Sequence, residues 1–386
     1  MIVYVKTQGS RIVKEGRHLL VKKGDATYHT LFTYKLDQIV IFGNVEITHK
    51  ALAQILRFGI DLVFLTLNGR YLGRVVSQEP RNVRLRKRQW LLLDDHAFVL
   101  KMAKAFVAGK LTNMATMLMR IKRTKGATLA GRKAQEIKGI IQMIDQASTI
   151  ESVRGFEGKG SALYFEAFHC GFVEDWGFTR RVRRPPTDPV NSVLSLLYTF
   201  LMNRVYSAVR VAGLDPYPGF LHAIDYGRYS LVLDLMEEFR PIIADSLAYS
   251  LFNLKILGRD DFIVEKPVSS SEPKSQDMQE IMEEVTKDPI GLISSTECEP
   301  SVFDLPEQRI ENSSPEGQIT GKYPVKLKDE AFHRVIDAFE KKLTTEFYYP
   351  PAERRLTYGE VLIYQAGHLR KVIEDEIDTY QPVLLK

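Results

Sequence analysis

The chain has 386 residues but contains only two cysteines, Cys170 and Cys298, and this scarcity limits its chemistry. The two residues are far apart and fit none of the spacings that bind zinc. A disulfide-stabilised secreted scaffold is excluded for the same reason. Because low cysteine content is typical of the reducing cytoplasm, we expect a cytoplasmic protein.

A long uninterrupted apolar run is also lacking. The most apolar stretch, residues 190–214, contains two asparagines and two arginines, which favours a buried helix over a membrane span. Residues 1–6 are typical of a β-strand and do not have the basic-then-apolar layout of a signal peptide. We therefore expect no membrane association.

Neither sign of charge dominates, since 53 Lys and Arg stand against 48 Asp and Glu, a formal net charge of +5. A balance this close to neutral permits nucleic-acid binding without requiring it. A phosphate-binding loop is missing as well, because the Gly-Lys-Gly-Ser run at residues 158–161 has no earlier glycine at the spacing needed. The function must therefore be sought in other groups of polar residues.

Residues 1–76 have the pattern of a small β-rich domain. Short β-branched or aromatic runs alternate with turns, and Asn68-Gly69 predicts a hairpin. Thr48 is a suitable N-cap for one helix that ends near Gly59. These features predict a compact β-sandwich.

The periodicity changes after this domain. Residues 77–89 contain Pro80 and five basic residues and predict a linker. Residues 90–386 have helical apolar spacing, except near residues 264–321, where serine, proline and glutamate predict a mobile insertion. The predicted fold class is α+β in two domains, with a small N-terminal β-sandwich followed by a larger all-α domain.

Four polar residues are candidates for one site: Glu157, His222, Asp234 and Glu237. Asp234 and Glu237 are three residues apart in a segment with helical apolar spacing, so they share a helix face. Carboxylates combined with one imidazole suit a divalent ion such as Mg2+ or Mn2+. Such an ion assists attack on a phosphodiester because it orients the nucleophile and offsets the charge of the phosphate.

Each of these residues also has an ordinary structural explanation. His222 precedes the predicted helix and could be a hydrogen-bonded structural residue. Asp234 and Glu237 could form a solvated helix face, and Glu157 could begin a helix, where a carboxylate favours the dipole. Residue chemistry alone leaves both interpretations open.

Three separated segments resemble the CRISPR-associated adaptation integrases, the family called Cas one. Residues 155–165 have the pattern Gly-x-Glu-Gly-x-x-Ser-x-x-Tyr-Phe, and residues 219–222 are Gly-Phe-Leu-His. In residues 234–241, Asp-x-x-Glu is followed by Phe-Arg-Pro. The segments stand in the family's order, and the resemblance covers nearly the whole chain apart from the predicted insertion.

The resemblance implies that Glu157, His222 and Glu237 are the metal ligands of a catalytic site. Asp234 is then either an alternative ligand or a residue that orients the site. The implied activity is that of a metal-dependent DNA endonuclease and strand transferase, which inserts captured DNA fragments into the CRISPR repeat array of a prokaryote. The implied cofactor is Mg2+ or Mn2+. The implied partners are double-stranded DNA, a second copy in a homodimer, and a small ferredoxin-like adaptation subunit, Cas two.

A set of basic residues is predicted to contact DNA phosphates, because guanidinium and ammonium groups bind phosphate oxygens well. The set is Arg84, Arg86, Arg88, Lys110, Lys159, Arg181, Arg183 and Arg184. Each of them could instead pair with nearby carboxylates or lie on a solvated face.

Two other functions remain open from the sequence alone. A stand-alone metal-dependent nuclease for branched DNA would use the same site without joining strands. A non-catalytic helical scaffold would bind DNA and keep Glu157, His222 and Glu237 as structural residues.

Overall fold

A computed structural model describes residues 2–36, 38–66, 71–75, 82–182, 185–264 and 323–385. Part of the predicted linker, two predicted DNA contacts (Arg183 and Arg184) and nearly all of the predicted insertion lie outside these ranges. Within them, no helix is both long enough and apolar enough to cross a membrane.

The N-terminal region forms two four-stranded sheets. Its strands are β1 (Ile2–Val5), β2 (Ser10–Glu15), β3 (His18–Lys23), β4 (Ala26–Phe32), β5 (Gln38–Phe42), β6 (Val45–Ile47), β7 (Asp61–Leu65) and β8 (Tyr71–Val75). The first sheet has the order β1-β5-β7-β8, in which β7 and β8 are antiparallel and the other pairs are parallel. The second has the order β4-β3-β2-β6, in which β2 and β6 are parallel and the other pairs antiparallel.

Apolar side chains from both sheets fill one interior. Ile12 from one sheet and Ile39 from the other are both fully buried there. Helix α1 (His49–Arg57) adds Ala51 to this core, and the Thr48 hydroxyl accepts a hydrogen bond from the Ala51 N–H at 3.4 Å. The predicted β-sandwich and its helix cap are therefore confirmed.

The remaining described chain is mainly helical. Its helices are α2 (Val83–Leu91), α3 (His96–Lys125), α4 (Thr128–Ile144), α5 (Ile150–Phe168), α6 (Pro189–Val211), α7 (Ser230–Met236), α8 (Ser246–Asn253), α9 (Asp329–Leu343) and α10 (Tyr358–Ile373). Two short antiparallel pairs accompany them, β9 (Phe262–Val264) with β10 (Val325–Leu327) and β11 (Glu346–Tyr349) with β12 (Arg354–Thr357). The prediction of an α+β fold is confirmed, but the second region is not purely α-helical.

The predicted linker at residues 77–89 overlaps α2. The side chain of Asn82 caps this helix by accepting the Leu85 N–H at 3.1 Å. Gln89 is fully buried and hydrogen bonds both the carbonyl oxygen and the N–H of Asp215, at 2.8 and 3.0 Å. The second half of the predicted linker is therefore an anchored helix, because a side-chain cap and buried amide contacts outweigh its dense positive charge.

Helix α3 is the longest helix, and two glycines bring its neighbours unusually close. A Cβ on Gly160 of α5 would lie 2.4 Å from Cδ2 of Leu111 on α3. A Cβ on Gly109 of α3 would lie 2.4 Å from Cβ of Pro382. These approaches are open to glycine alone, and they place α5 and the C-terminal residues on either side of Lys110.

One apolar core joins the first sheet to the helices. The ring of Phe42 on β5 packs edge-on against Phe332 of α9, with ring centroids 5.0 Å apart. It also meets Phe200 of α6 at 6.3 Å. The helical region is thereby supported by the sandwich rather than connected to it only through the chain.

A buried carboxylate lies within the helical core. Asp245 ends a π-helical turn, Arg240–Asp245, and accepts hydrogen bonds from the hydroxyls of Tyr198 and Tyr164 at 2.7 and 2.9 Å. Burial raises the pKa of Asp245 to about 6, although both hydrogen bonds and the charge of Arg240 favour the ionised form.

We expect Asp245→Asn to change how stability depends on pH. The Asp245 pKa is raised on folding, so its stabilising contribution is complete below its unfolded pKa of 3.8 and is lost as the pH rises through about 6. The variant should therefore gain unfolding free energy relative to the wild type between pH 4 and 7, by at most about 3 kcal/mol. Urea unfolding at several pH values measures this difference.

The matched control is Asp375→Asn, which alters an exposed carboxylate. Its stability relative to the wild type should stay constant over the same pH range. An equally constant difference for Asp245→Asn would contradict the assignment of a raised pKa to Asp245.

Candidate metal centre

Glu157 lies in the middle of α5 rather than at its start. The side chain of Thr149 caps the helix by accepting the Ser152 N–H at 3.2 Å, and Ile150 is the first helical residue. Glu157 is therefore about two turns inside the helix. The expectation that it opens the helix was wrong, because the surrounding glycines remain helical, and the dipole explanation for this carboxylate fails with it.

Asp234 on α7 organises the loop that carries His222. Its side chain is fully buried, and Oδ2 accepts the N–H groups of Phe220 and Leu221 at 2.5 and 2.9 Å. Oδ1 accepts the backbone N–H of His222 at 2.9 Å and also faces Nδ1 of its ring at 2.7 Å. Of the two roles considered for Asp234, these contacts favour orientation of the site over direct ligation, since both oxygens are already engaged.

One ring nitrogen of His222 contacts Asp234, and the other faces Glu237. A carboxylate accepts hydrogen bonds, so Nδ1 carries the proton shared with Asp234. The lone pair of the neutral ring is then on Nε2, which lies 4.0 Å from Oε1 of Glu237. A carboxylate that fixes the ring in this way is the usual support of a metal-binding histidine.

Glu237 and Glu157 meet at a shared cation. The ammonium of Lys110 on α3 contacts Oε1 of Glu157 and lies 2.6 Å from Oε2 of Glu237. Nε of Arg240 lies 3.2 Å from Oε1 of Glu237, and the Ser161 hydroxyl donates to Oε1 of Glu157 at 2.8 Å. Two carboxylates, one inside α5 and one just beyond the C-terminal end of α7, are thus held side by side by two cations.

These charges decide the protonation of the site. Burial would raise the pKa of Glu237, but the charges of Arg240 and Lys110 outweigh it and lower that pKa to about 2. Burial likewise opposes ionisation of Glu157, and the Lys110 ammonium overcomes it, so the Glu157 pKa is lowered. Both carboxylates are therefore ionised at neutral pH, as metal ligation requires.

The chemical types of the donors suit a hard or borderline divalent ion. They are two ionised carboxylates and one imidazole nitrogen, and the Lys110 ammonium already lies 2.6 Å from Oε2 of Glu237. As placed, no three acidic, histidine or cysteine side chains among the described residues form a ready metal-binding group. The structure brings the three predicted ligands together, with an ammonium between the two carboxylates.

The segment that carries Glu237 is hydrogen bonded to the C-terminal residues. Glu238, next to Glu237, is fully buried and accepts the Tyr380 hydroxyl and the Val383 N–H, both at 2.8 Å. The side chain of Asn113 donates to the carbonyl oxygen of Glu238 at 3.0 Å and accepts the Leu385 N–H at 2.8 Å. These hydrogen bonds, which we call the C-terminal clamp, fix the position of the end of α7 and therefore the position of Glu237.

The predicted DNA contacts lie in different environments. Arg86 pairs with the buried carboxylate of Asp215 at 3.2 Å, and Arg88 lies 3.4 Å from Asp375. Arg181 donates to the side chains of Asn191 and Ser195 at 2.8 and 2.9 Å, which gives it structural partners within α6.

Arg84 on α2 and Lys159 on α5 are exposed, and so is Arg88 despite its contact with Asp375. Lys110 has the opposite placement, because its side chain is only 8% exposed and faces the carboxylates. Its contacts do not match the predicted role at a DNA phosphate.

Sequence reasoning left the partners of the site's cations open. Lys110 was predicted to contact DNA, with pairing to a nearby carboxylate as the alternative, and the structure shows it between Glu157 and Glu237. Arg240 could likewise contact a phosphate or pair with a carboxylate, and it pairs with Glu237. Ser161 had no predicted role. Its spacing of four residues from Glu157 was the available signal, since positions i and i+4 share a helix face.

Comparison with known proteins places the chain in one family. The model of the family described as CRISPR associated protein Cas1 matches residues 3–284. The CRISPR-associated endonuclease Cas1 3 of Thermus thermophilus is 31% identical over 387 residues, and the alignment covers 100% of this chain and 97% of that relative.

Two solved structures share the fold. A Cas6-RT-Cas1–Cas2 complex matches with a TM-score of 0.76 and 22% identity, covering 100% of this chain and 36% of that one. A casposase bound to its integration product matches with a TM-score of 0.76 and 18% identity, covering 98% and 92% of the two chains. At these identities the likeness concerns the fold alone.

We expect Asp234→Asn to destabilise the protein. Asparagine has one acceptor oxygen, so the buried N–H groups of Phe220, Leu221 and His222 cannot all keep a partner. The loss should be about 3 kcal/mol in unfolding free energy, measured by urea denaturation at neutral pH.

The control is Asp225→Asn in the same loop, where the side chain is 65% exposed. It should change stability by less than about 0.5 kcal/mol. Equal losses in the two variants would show that the Asp234 contacts do not hold the loop.

Proposed function

This chain belongs to the family of CRISPR-associated Cas1 proteins, and we propose that it is a CRISPR adaptation integrase. It would insert captured double-stranded DNA fragments into the CRISPR repeat array. The observation that carries the proposal is the meeting of Glu157, His222 and Glu237, from three separate segments, at one polar site.

In the proposed reaction, the 3′-hydroxyl of an incoming fragment attacks a phosphodiester at the edge of a repeat. A new P–O bond forms while the bond to the 3′-oxygen of the cut strand breaks, so the number of phosphodiesters is unchanged. Glu157, His222 and Glu237 would hold a divalent ion, Mg2+ or Mn2+, which would supply Lewis-acid chemistry that favours the deprotonated hydroxyl and offsets phosphate charge.

The other residues would prepare this site rather than react. Asp234 holds the His222 ring so that Nε2 faces the site. Arg240 helps to keep Glu237 ionised beneath it. The exposed ammonium of Lys159 lies two residues beyond Glu157 on α5, where it is available to a phosphate of bound DNA.

The proposed assembly contains a homodimer of this chain and the small ferredoxin-like subunit Cas two. The fold neighbour that carries Cas1 in a complex with Cas2 supports this partner. Two active sites held at a fixed separation would account for attack on both strands of one repeat.

We expect purified protein to join a DNA fragment to repeat DNA when Mg2+ or Mn2+ is present and to stop when a chelator is added. Glu157→Ala and His222→Ala should each lower the rate at least about 100-fold, because each removes a metal-binding donor. The assay follows the joined product on a denaturing gel, with Cas two included.

The matched control is Glu151→Ala, an exposed carboxylate on the same helix as Glu157. It should leave the rate unchanged. Metal-dependent cleavage of branched DNA without joining would instead identify a stand-alone nuclease. DNA binding with no processing, unaffected by His222→Ala, would identify a non-catalytic scaffold.

A further inference from the structure

We propose that Lys110 is a built-in counter-cation, which bridges Glu157 and Glu237 until a divalent ion enters and then moves its ammonium out from between them. The proposal rests on the proposed metal site. It adds one step to metal binding, in which the divalent ion replaces the Lys110 ammonium between the two carboxylates.

The first support is the position of the Lys110 ammonium. It contacts a carboxylate oxygen from each of two proposed ligands, the place where an ion shared by them would lie. The stem of Lys110 is buried beside Gly109 on α3, where α5 and Pro382 approach closely. The backbone around Lys110 is thus fixed, and the flexible part is its side chain.

The second support is the charge of the site. Glu157 and Glu237 carry two negative charges, and Lys110 and Arg240 carry two positive ones. A divalent ion added to this neutral set would meet two cations at short range, which disfavours binding in a buried site. If the Lys110 ammonium leaves, the ion instead meets two carboxylates and a single cation.

Arg240 has an additional contact that Lys110 lacks among those described here. Its guanidinium lies 4.7 Å from the centre of the Tyr198 ring, while both cationic side chains are 8% exposed. Lys110 has a route outward, because the Glu157 side chain that it contacts is 27% exposed while that of Glu237 is 4% exposed. Departure past Glu157 places the ammonium on the side where DNA would approach.

The exchange has a consequence for the order of events. Before the ion binds, Lys110 keeps two ionised carboxylates from repelling each other, so the site can fold without metal. After the ion binds, the same ammonium becomes available to a DNA phosphate. Lys110 is therefore a positioning residue in the metal-free protein and a phosphate contact in the loaded one.

The wild-type protein tests the movement directly. Lysines are acetylated with a water-soluble acylating reagent, without DNA, in chelator or in Mg2+, and each site is quantified by mass spectrometry. Lys110 should be protected in chelator and at least about threefold more modified in Mg2+, since an ammonium released from two carboxylates becomes accessible. Lys138, exposed on α4, is the internal reference and should not change. Equal modification of Lys110 in both conditions would overturn the proposal.

The competition between the Lys110 ammonium and a divalent ion for the two carboxylates is tested by Lys110→Met, which keeps an unbranched side chain without the charge. Mn2+ affinity, measured by electron paramagnetic resonance without DNA, should rise at least about tenfold, because one competing charge is gone. The variant should melt earlier than the wild type in chelator and recover in Mn2+. Lys101→Met, an exposed lysine on α3, is the control and should change neither property. Unchanged or weaker Mn2+ binding by a folded Lys110→Met protein would refute the competition.

Glu157→Ala and Glu237→Ala separate this proposal from the proposed function. If both abolish Mn2+ binding while Lys110→Met leaves it unchanged, the metal site stands and the exchange fails. If neither affects Mn2+ binding, the metal site itself is wrong and the exchange fails with it.

Discussion

Two ionised carboxylates can lie side by side in a protein interior only when cations neutralise them. Here Glu157 and Glu237 are held together by Lys110, and Arg240 adds a second positive charge beneath Glu237. Burial alone would raise the pKa of both acids, but the nearby cations outweigh it and lower both pKa values. The geometry of the site depends on this balance, because Glu237, with a side chain only 4% exposed, would otherwise be an uncompensated buried charge.

Close helix packing and backbone hydrogen bonds fix the positions of the charged side chains. Gly160 lets α5 approach Leu111, one residue from Lys110 on α3. Asp234 gathers three backbone N–H groups and thereby fixes the loop that presents His222. These contacts use short side chains and backbone atoms rather than long flexible ones, so the donors are placed by rigid elements. The two cations, Lys110 and Arg240, instead reach the site through long side chains.

The sequence predicted what depends on local pattern and on motif. Strands and the Thr48 cap follow from short-range spacing, and the structure has them. Asp234 lies in α7 as its spacing predicted, but the helix ends at Met236, so Glu237 follows it. The inward direction of Lys110 could not be predicted, because its partners belong to other helices and a lysine near a basic surface usually points to solvent. The central position of Glu157 was missed because several glycines lie around it. Gly155 and Gly158 have open space beside them, whereas Gly160 is needed for the close approach to Leu111.

The C-terminal clamp, formed by the hydrogen bonds of Glu238 and Asn113 with the C-terminal residues, joins parts of the chain that are synthesised at very different times. The N–H of Val383 reaches Glu238 across 145 positions, and that of Leu385 reaches Asn113 across 272. On the ribosome, the ligand-bearing segment therefore emerges long before the residues that lock it in place. A nascent chain that has just exposed every proposed ligand still lacks the contacts that fix Glu237, so the site is complete only after residues 380–385 have left the ribosome.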